Sequence, residues 1–399
     1  MGSINTFEKS TLGGQPPGKI AASLNEKLKN VEWGEYRMGD LFEIYHGQRL
    51  TKADRIAGEI PFLTAGQENQ GVACYIGNDW KKYVNPITVD MFGNCFFHNG
   101  IYSGDDNIYF FVSDKISNNS KLFIVNCIAR QTFGKYSYGK QFRQPNADNL
   151  KVLLPVKNGK IDFIFMESFV AELEAQRVAE LSAYLKVSGY DNYELSAEEL
   201  DALRRFSNFE DNAWGTYKVG NLFERIETKK LPYKAKELPK QPTADYVLPC
   251  LTSSFQNQGL NYYAPKAGAT VLSNVISIPS NSDVYRAYYQ SREFTVLSDS
   301  YAIRWKSDKI KISPNHYLFM VMCINKITDL PIYSYKNKLG GWNVVKGKYI
   351  RLPEKDGKID FAFMETFISA IKKLAIKDVV LYSDKKIAAT KAVVSNNEV

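Results

Sequence analysis

The chain has 399 residues, a formal net charge of +8 and 44% hydrophobic residues. That length carries two or three domains with sizeable cores, and without a run of about 18 apolar residues it offers no membrane-spanning helix. Five scattered cysteines with no CxxC pair argue against a disulfide frame or zinc site and for reduced thiols in a cytoplasm. The positive balance favours polyanions. Many of the 25 Tyr and 23 Phe stand beside Lys, Arg, Asn or Gln, which suits a nucleic-acid surface, although sheet cores and edges also use such residues.

Residues 1–31 form an N-terminal segment: a Gly/Pro-rich lead over 1–16, then a short helix over 18–31 with Ile20, Leu24 and Leu28 on one face. The lead lacks the apolar stretch of a secretory signal. Gly13 to Lys19 (GGQPPGK) has P-loop spacing, but Ile20 stands where Ser or Thr belongs and two prolines remove phosphate-binding N–H groups.

Trp33 then opens a pattern that recurs. WGEYRMGDLFE at Trp33 returns as WGTYKVGNLFE at Trp214, TAGQENQG at Thr64 as TSSFQNQG at Thr252, and YSYGK at Tyr136 as YSYKN at Tyr333. SGDDNIYFF (Ser103 to Phe111) corresponds loosely to LSDSYAIRW (Leu297 to Trp305). LPVKNGKIDFIFMESF at Leu154 matches LPEKDGKIDFAFMETF at Leu352. The offset grows from 181 at the Trp to 198 at the Leu-Pro, so the second copy carries loop insertions. A repeat this clear sets the architecture: modules over 32–160 and 213–358, a spacer helix and ordered linker over 161–212, and a second helix and tail over 359–399.

Short β-branched and aromatic runs, NCFFHNGIYS, NIYFFVS, TVLSNVISIPS and YAIRWKS, predict strands. Helices are expected over Ser120–Arg130, capped by Asn119 or Ser120, and from Pro314 to Asn325, capped by Ser313. Each module is therefore α+β: a twisted, mainly antiparallel sheet with helices. Asp162 caps a helix reaching Lys186, with Phe163, Met166, Val170 and Leu173 at a/d spacing; Phe361, Met364, Ile368 and Ile371 repeat it, with a frayed tail after Lys391. These stripes either pack on their own modules or join the two helices in a coiled-coil-like antiparallel pair. Twenty-five helical residues span about 37 Å, close to one turn of B-DNA at about 34–36 Å. Ser196 with Glu199 forms a capping box in the linker.

The chain has no GxSxG, HExxH or CxxC pattern, nor the Asn/Asp-Pro-Pro-Tyr/Phe tetrapeptide of amino-methyltransferases. His46, His98 and His316 are too isolated for a metal cluster. Asp105 and Asp106 are the one carboxylate pair that suggests a metal-dependent nuclease. The second copy offers only Asp299 there, and neighbours in a strand face opposite ways. Binding fits better. The first module sets Gln48, Arg49, Lys52, Gln67, Asn69, Gln70, His98, Asn99, Tyr102, Ser103, Tyr136, Tyr138, Lys140, Gln141 and Arg143 in loops. The second sets out Lys229, Lys230, Ser253, Gln256, Asn257, Gln258, Tyr285, Arg286, Tyr333, Tyr335, Lys336, Asn337 and Lys338. Gln and Asn can bond adenine, Arg reads guanine, and Lys, Ser and Tyr hold phosphates. Gly66-Gln67-Glu68 answers to Ser254-Phe255-Gln256, so one frame with unlike loops would bind two different short sequences.

On both module openings, the TAGQENQGVACYI block, SGDDNIYFF and both LPxKxGKIDFxFMExF helix entries, the chain from Trp33 onward resembles the DNA-specificity subunit of type I restriction–modification systems, and the related type IIB subunit. The resemblance implies two target-recognition domains, with helices that act as a ruler, touch each other and dock methyltransferase subunits, one or two of them. It implies an asymmetric bipartite site in double-stranded DNA, in a bacterial or archaeal cytoplasm. It implies no catalysis and no cofactor in this chain: adenine N6-methylation uses S-adenosylmethionine held by the partner, and cleavage belongs to a restriction subunit or fused domain. The second opening departs, ETKKLPYKAK standing for GQRLTKADR, so its contacts are harder to map. The rival classes are a stand-alone tandem-module binder of RNA or single strands, and the metal-dependent nuclease.

Overall fold

The computed structural model describes residues 22–207 and 214–396. The lead over 1–16, the Gly13–Lys19 spacing and Ile20 lie outside them. The chain forms two compact units: one runs to Tyr184 and resumes at Ser383, and the other is Leu185–Tyr382.

In the first unit, helix α1 (Ala22–Asn30) precedes strands β1 (Glu32–Arg37), β2 (Glu43–His46), β3 (Ala57–Leu63), β4 (Val72–Ile76), β5 (Tyr83–Val84), β6 (Ile87–Asp90), β7 (Cys95–Phe97), β8 (Ile101–Gly104) and β9 (Ile108–Val112). Helices α2 (Asn118–Thr132) and α3 (Gln144–Asp148), hairpin strands β10 (Lys151–Lys157) and β11 (Lys160–Ile161), and helix α4 (Phe163–Val187) follow. Three small sheets result, ordered β1-β10-β11, β2-β9-β6-β7 and β4-β3-β8-β5. All pairings are antiparallel except β3 with β8. The α+β class holds, but the single sheet expected per module is divided. The expected strand NCFFHNGIYS shows why. It breaks at Gly100, whose φ of 118° sends β7 into one sheet and β8 into another.

The second unit repeats this order. Helix α5 (Ala197–Ser207) leads to β12 (Trp214–Lys218), α6 (Val219–Leu222), β13 (Phe223–Arg225), β14 (Leu248–Leu251), β15 (Leu260–Ala264), β16 (Val275–Pro279), β17 (Tyr288–Gln290), β18 (Thr295–Val296) and β19 (Ser300–Trp305). Then come α7 (Pro314–Thr328), α8 (Trp342–Val345), β20 (Tyr349–Lys355), β21 (Lys358–Ile359) and α9 (Phe361–Asn396). The sheets are β12-β20-β21, β13-β19-β16-β17 and β15-β14-β18, again with one parallel pair, β14 with β18. The largest single insertion in the second copy lies between β13 and β14, where 226–247 stands for 47–56, and the rest is spread over later loops. Helix α9 runs past Lys391 to Asn396, so the tail expected to fray there is helical.

Strand pairing corrects one correspondence. Glu43 pairs with Val112 and Glu224 with Arg304, so Asp105 answers to Leu297, and Asp299 falls two residues further on. The amides of Asp105 and Leu297 make the same bond, to the carbonyls of Leu63 and Leu251, both at 2.9 Å.

Each module is closed by its own first and last strands: Trp33 stands opposite Pro155, and Trp214 opposite Pro353. The hairpin that follows turns on Asn158-Gly159 and Asp356-Gly357, all at left-handed φ (53°, 72°, 54°, 70°), the conformation a two-residue hairpin loop requires and Asn-Gly or Asp-Gly supplies. The amides of Asp162 and Asp360 then donate to Pro155 and Pro353, both at 2.8 Å. Their carboxylates accept the amides of Phe165 and Phe363 at 2.9 Å, which starts α4 and α9.

Helix α2 is capped by Ser117, whose hydroxyl accepts the Ser120 amide, one turn ahead of the expected Asn119 or Ser120. Ser313 caps α7 as expected, and its own amide donates to His316 Nδ1 at 3.1 Å. The apolar stripes of α4 and α9 pack on their own modules. Met166 is buried beside Ile124, Ile128, Val152 and Leu154, with Phe163, Val170 and Leu173 against that core. Met364 and Ile368 are buried beside Phe319, Ile324 and Leu352, with Phe361 against them, while Ile371 stays exposed. Beyond Ser383, within the first unit, Lys386 of α9 reaches Glu174 of α4 at 2.5 Å.

Candidate nucleic-acid interface

In the first module four loops are fastened together at one end of its sheets. The amide of Gln48 donates to Gly104 at 3.1 Å, and the Asp105 carboxylate accepts the Leu50 amide at 3.2 Å, with Arg55 3.9 Å away. This holds Gln48, Arg49 and Lys52 outward in solvent. Arg49 lies 3.7 Å from Asp106. Both aspartates thus answer to backbone and arginine groups, and among the described residues no group of His, Cys, Asp and Glu could hold a metal ion.

The second loop, 64–71, starts where β3 ends. Its Asn69, Gln70 and Gly71 are successively left-handed, with φ of 46°, 53° and 85°, and it closes by a 2.9 Å bond from the Thr64 amide to Gly71. Gln67, Asn69 and Gln70 are exposed at its tip. The third loop, 91–94, links it to the fourth. Asp90 is buried, and its carboxylate accepts the amides of Gly66, Phe92 and Asn94 and the Asn94 side chain, all within 2.9 Å. Gln67 donates to Asn94 at 2.9 Å. On the other side, Phe142 donates to Met91 at 2.8 Å, and Thr132 to Gly93 at 2.6 Å. The fourth loop is a tight turn in which Ser137 and Lys140 exchange backbone bonds at 3.0 and 3.1 Å. Tyr136 packs edge-on against buried Phe142 at 5.1 Å, while Tyr138, Lys140 and Arg143 are exposed and Gln141 is half-buried.

The structure takes three expected contact residues off the surface. His98 is 1% exposed and bonds Thr88 at 2.9 Å, and burial pushes its pKa down to about 4. Ser103 is buried and donates to Lys81 at 2.7 Å. Tyr285, in the second module, is a core residue. The strand run hid this, because alternation along β8 sends Ser103 inward. Exposed Asn99 and half-buried Tyr102 lie near Pro86, at the opposite end of β6 from Asp90, and so stand apart from the four-loop end.

The second module joins its second, third and fourth loops with other locks. Loop 252–259 closes from Thr252 to Gly259 at 3.0 Å, with Asn257, Gln258 and Gly259 left-handed at 48°, 55° and 92°. Gln256, Asn257 and Gln258 are exposed, Ser253 half-buried. Where the first module has Asp90 the second has Pro279, and the bridging passes to the next residues. Ser282 donates to the Ser253 carbonyl at 2.7 Å, and the Asp283 carboxylate accepts the Tyr335 amide at 2.8 Å. Tyr288 and Gln290 donate to Phe255 and Gln258 at 3.1 and 3.2 Å. At 334–337 the Ser334 amide donates to the Asn337 carbonyl at 3.0 Å, and the Asn337 amide donates to the Ser334 hydroxyl at 3.1 Å. Half-buried Tyr333 receives a bond from Lys348 at 3.0 Å, and Tyr335, Lys336, Asn337 and Lys338 are exposed. Arg286 is drawn to Asp329 at 2.6 Å, which raises its pKa. Lys229 and Lys230 are exposed on the long 226–247 loop, anchored by a 2.9 Å bond from the Lys229 amide to Thr270.

Sequence inspection missed the residues that hold these loops: Asp90, Asn94, Ser282 and Asp283. The Asp-x-x-Gly-Asn run at Asp90 was a legible turn signal; nothing local marks Ser282. The Phe255 ring, one of the side chains in which the two reading loops differ, is exposed in the second loop.

The family model for the type I restriction modification DNA specificity domain matches twice, at residues 30–183 and 212–382. The chain is 21% identical over 359 residues to the specificity subunit S.BcgI of a type II restriction enzyme from Heyndrickxia coagulans, covering 87% of this chain and 96% of that protein. It superposes on the S subunit of a type I restriction–modification system from M. genitalium with a TM-score of 0.51 and 11% identity, covering 92% of this chain and 95% of that one.

Proposed function

The chain belongs to the type I restriction modification DNA specificity family, and from that premise we propose that each module reads one half of an asymmetric, bipartite site in double-stranded DNA through its clustered loops. The chain is the DNA-recognition component of its restriction–modification system, and catalysis is carried by partner subunits. The observation that best supports the two-part reading is a likeness combined with a difference. From Gln67 and Phe255 onward the two loops share one backbone conformation, yet they display Gly66-Gln67-Glu68 in one module and Ser254-Phe255-Gln256 in the other. A common frame fixes where each loop meets the groove, and unlike side chains select unlike bases.

Gln67, Asn69, Gln70, Gln256, Asn257 and Gln258 are the proposed base contacts. Gln48, Arg49, Lys52, Lys140, Arg143, Lys229, Lys230, Lys336 and Lys338 are the proposed phosphate contacts. Helices α4 and α9 would set the gap between half-sites and dock one or two methyltransferase subunits, which would bind S-adenosylmethionine and methylate adenine N6. A restriction subunit would be a further partner, and a bacterial cytoplasm the setting. Among the described residues no helix is long and apolar enough to cross a membrane.

The test is a gel shift of the chain with its methyltransferase partner on duplex, single-stranded and RNA probes of equal length. Preference for duplex, raised by a two-part target, supports the proposal; preference for single strands or RNA refutes it.

A further inference from the structure

The fourth loop carries an exposed tyrosine at its tip in both modules, although its neighbours differ. Tyr138 is 83% exposed and Tyr335 56% exposed. Each stands between flanks that bond each other, Ser137 with Lys140 by two backbone bonds, and Ser334 with Asn337 by one backbone bond and the Ser334 hydroxyl. Each turn is anchored below by a partly buried aromatic, Tyr136 against Phe142 and Tyr333 against Tyr285. Such a platform costs little further ordering when it binds. An aromatic ring held this far into solvent gains little for folding, since much of its apolar surface remains wet. Cations flank both tips: Lys140 in one, and Lys338, with its ammonium 4.7 Å from the Tyr335 ring centroid, in the other. The loops beside each tip differ between modules, while Tyr-Ser-Tyr does not.

We propose that Tyr138 and Tyr335 are a matched pair of stacking contacts, one per half-site, each laying its ring against a base exposed at a distorted step while the neighbouring lysines hold phosphate. Every base has a π-face, so stacking is tolerant of sequence. The tips therefore supply affinity and register, and selectivity is left to the second loop. This rests on the duplex-recognition reading above.

The experiment measures affinity of the chain with its methyltransferase partner for a target duplex and a random duplex across a salt series. Tyr138→Ala and Tyr335→Ala should each weaken both duplexes about tenfold, in the range of aromatic–base contacts, with the salt slope unchanged. Tyr138→Phe and Tyr335→Phe should stay within about twofold, because the ring is retained. Wild-type affinity in the Ala variants, Phe variants as weak as Ala, or a loss confined to the target would overturn the assignment. Lys140→Ala separates the two layers. If it weakens binding and flattens the salt slope while Tyr138→Ala is silent, duplex recognition stands and the stacking pair falls. If the unaltered complex prefers single strands, both fall together.

Discussion

Asn69 and Asn257 hold the same left-handed backbone, φ 46° with ψ 38° and φ 48° with ψ 37°. Gln70 and Gln258 follow at 53° and 55°. Left-handed backbone costs a residue with a Cβ about 1–2 kcal/mol; Asn bears it more readily than Gln. Each module thus carries the same strain in this exposed loop, and such strain gathers where a loop must present its side chains in one way.

The glycine that ends each run is the sharpest probe of that shape. At Gly71 a Cβ would meet the Thr64 carbonyl at 3.1 Å, and at Gly259 the Thr252 carbonyl at 3.2 Å, both at positive φ. Gly71→Ala and Gly259→Ala should each lower stability by about 1–2 kcal/mol, read from urea unfolding. A neutral result for both would show that the loop shape is not enforced.

Asp90 locks the first module's loops and has no counterpart in the second. Asp90→Ala strands three amides and the Asn94 side chain, at a cost of about 2–4 kcal/mol. It should relax base preference in one half-site alone, seen as loss of discrimination among single-base variants of the target. Relaxation in both halves would contradict a division of labour between modules.

His98 ties stability to pH. Its folded pKa of about 4 lies below the ordinary 6.5 because burial disfavours the charged ring. Below pH 6.5 the unfolded chain takes up a proton that the folded chain refuses, so stability falls as pH drops and levels near pH 4. Between pH 7.5 and 5.0 this contributes a loss of about 2 kcal/mol. His98→Gln should remove that part of the slope in denaturant titrations at the two pH values. An unchanged slope would place the acid sensitivity elsewhere.

Glu199 joins two elements of the second unit. Its carboxylate accepts the Ser196 amide at 2.9 Å, Ser369 at 2.7 Å and Lys373 at 2.8 Å. Burial acts to raise its pKa, but these donors prevail and the pKa is lowered. Glu199→Ala opens the cap of α5 and leaves Lys373 without its partly buried partner, for a loss of about 3 kcal/mol. DNA affinity at temperatures well below unfolding should be unchanged. Reduced affinity there would tie this knot to recognition.

Much of the fold was legible because it is repeated. The Trp-Gly openings and Leu-Pro endings announced two modules, and in each the two landmarks prove to be paired strands, Trp33 on Pro155 and Trp214 on Pro353. Caps at Asp162, Asp360, Ser196 and Ser313 were readable because capping is local. The division into three sheets was not, since it depends on where the chain turns between β7 and β8, at Gly100, and between β17 and β18, where no glycine stands. The site was legible at loop tips, where polar residues cluster. It failed at His98 and Ser103, whose polar atoms are bonded inward, and at Tyr285, whose ring belongs to the core. The bridging residues escaped because Asp90 and Ser282 act across distant loops and occupy unlike positions in the two copies.

The most direct test of the central claim is a map of methylated adenines in genomic DNA after expressing this chain with its methyltransferase partner, repeated with Gln67-Glu68 exchanged for the Phe255-Gln256 pair of the other module. One bipartite motif is expected, with two unlike specific runs around a fixed gap, and the exchange should alter only one run. A contiguous motif, or a change in both runs at once, would contradict it.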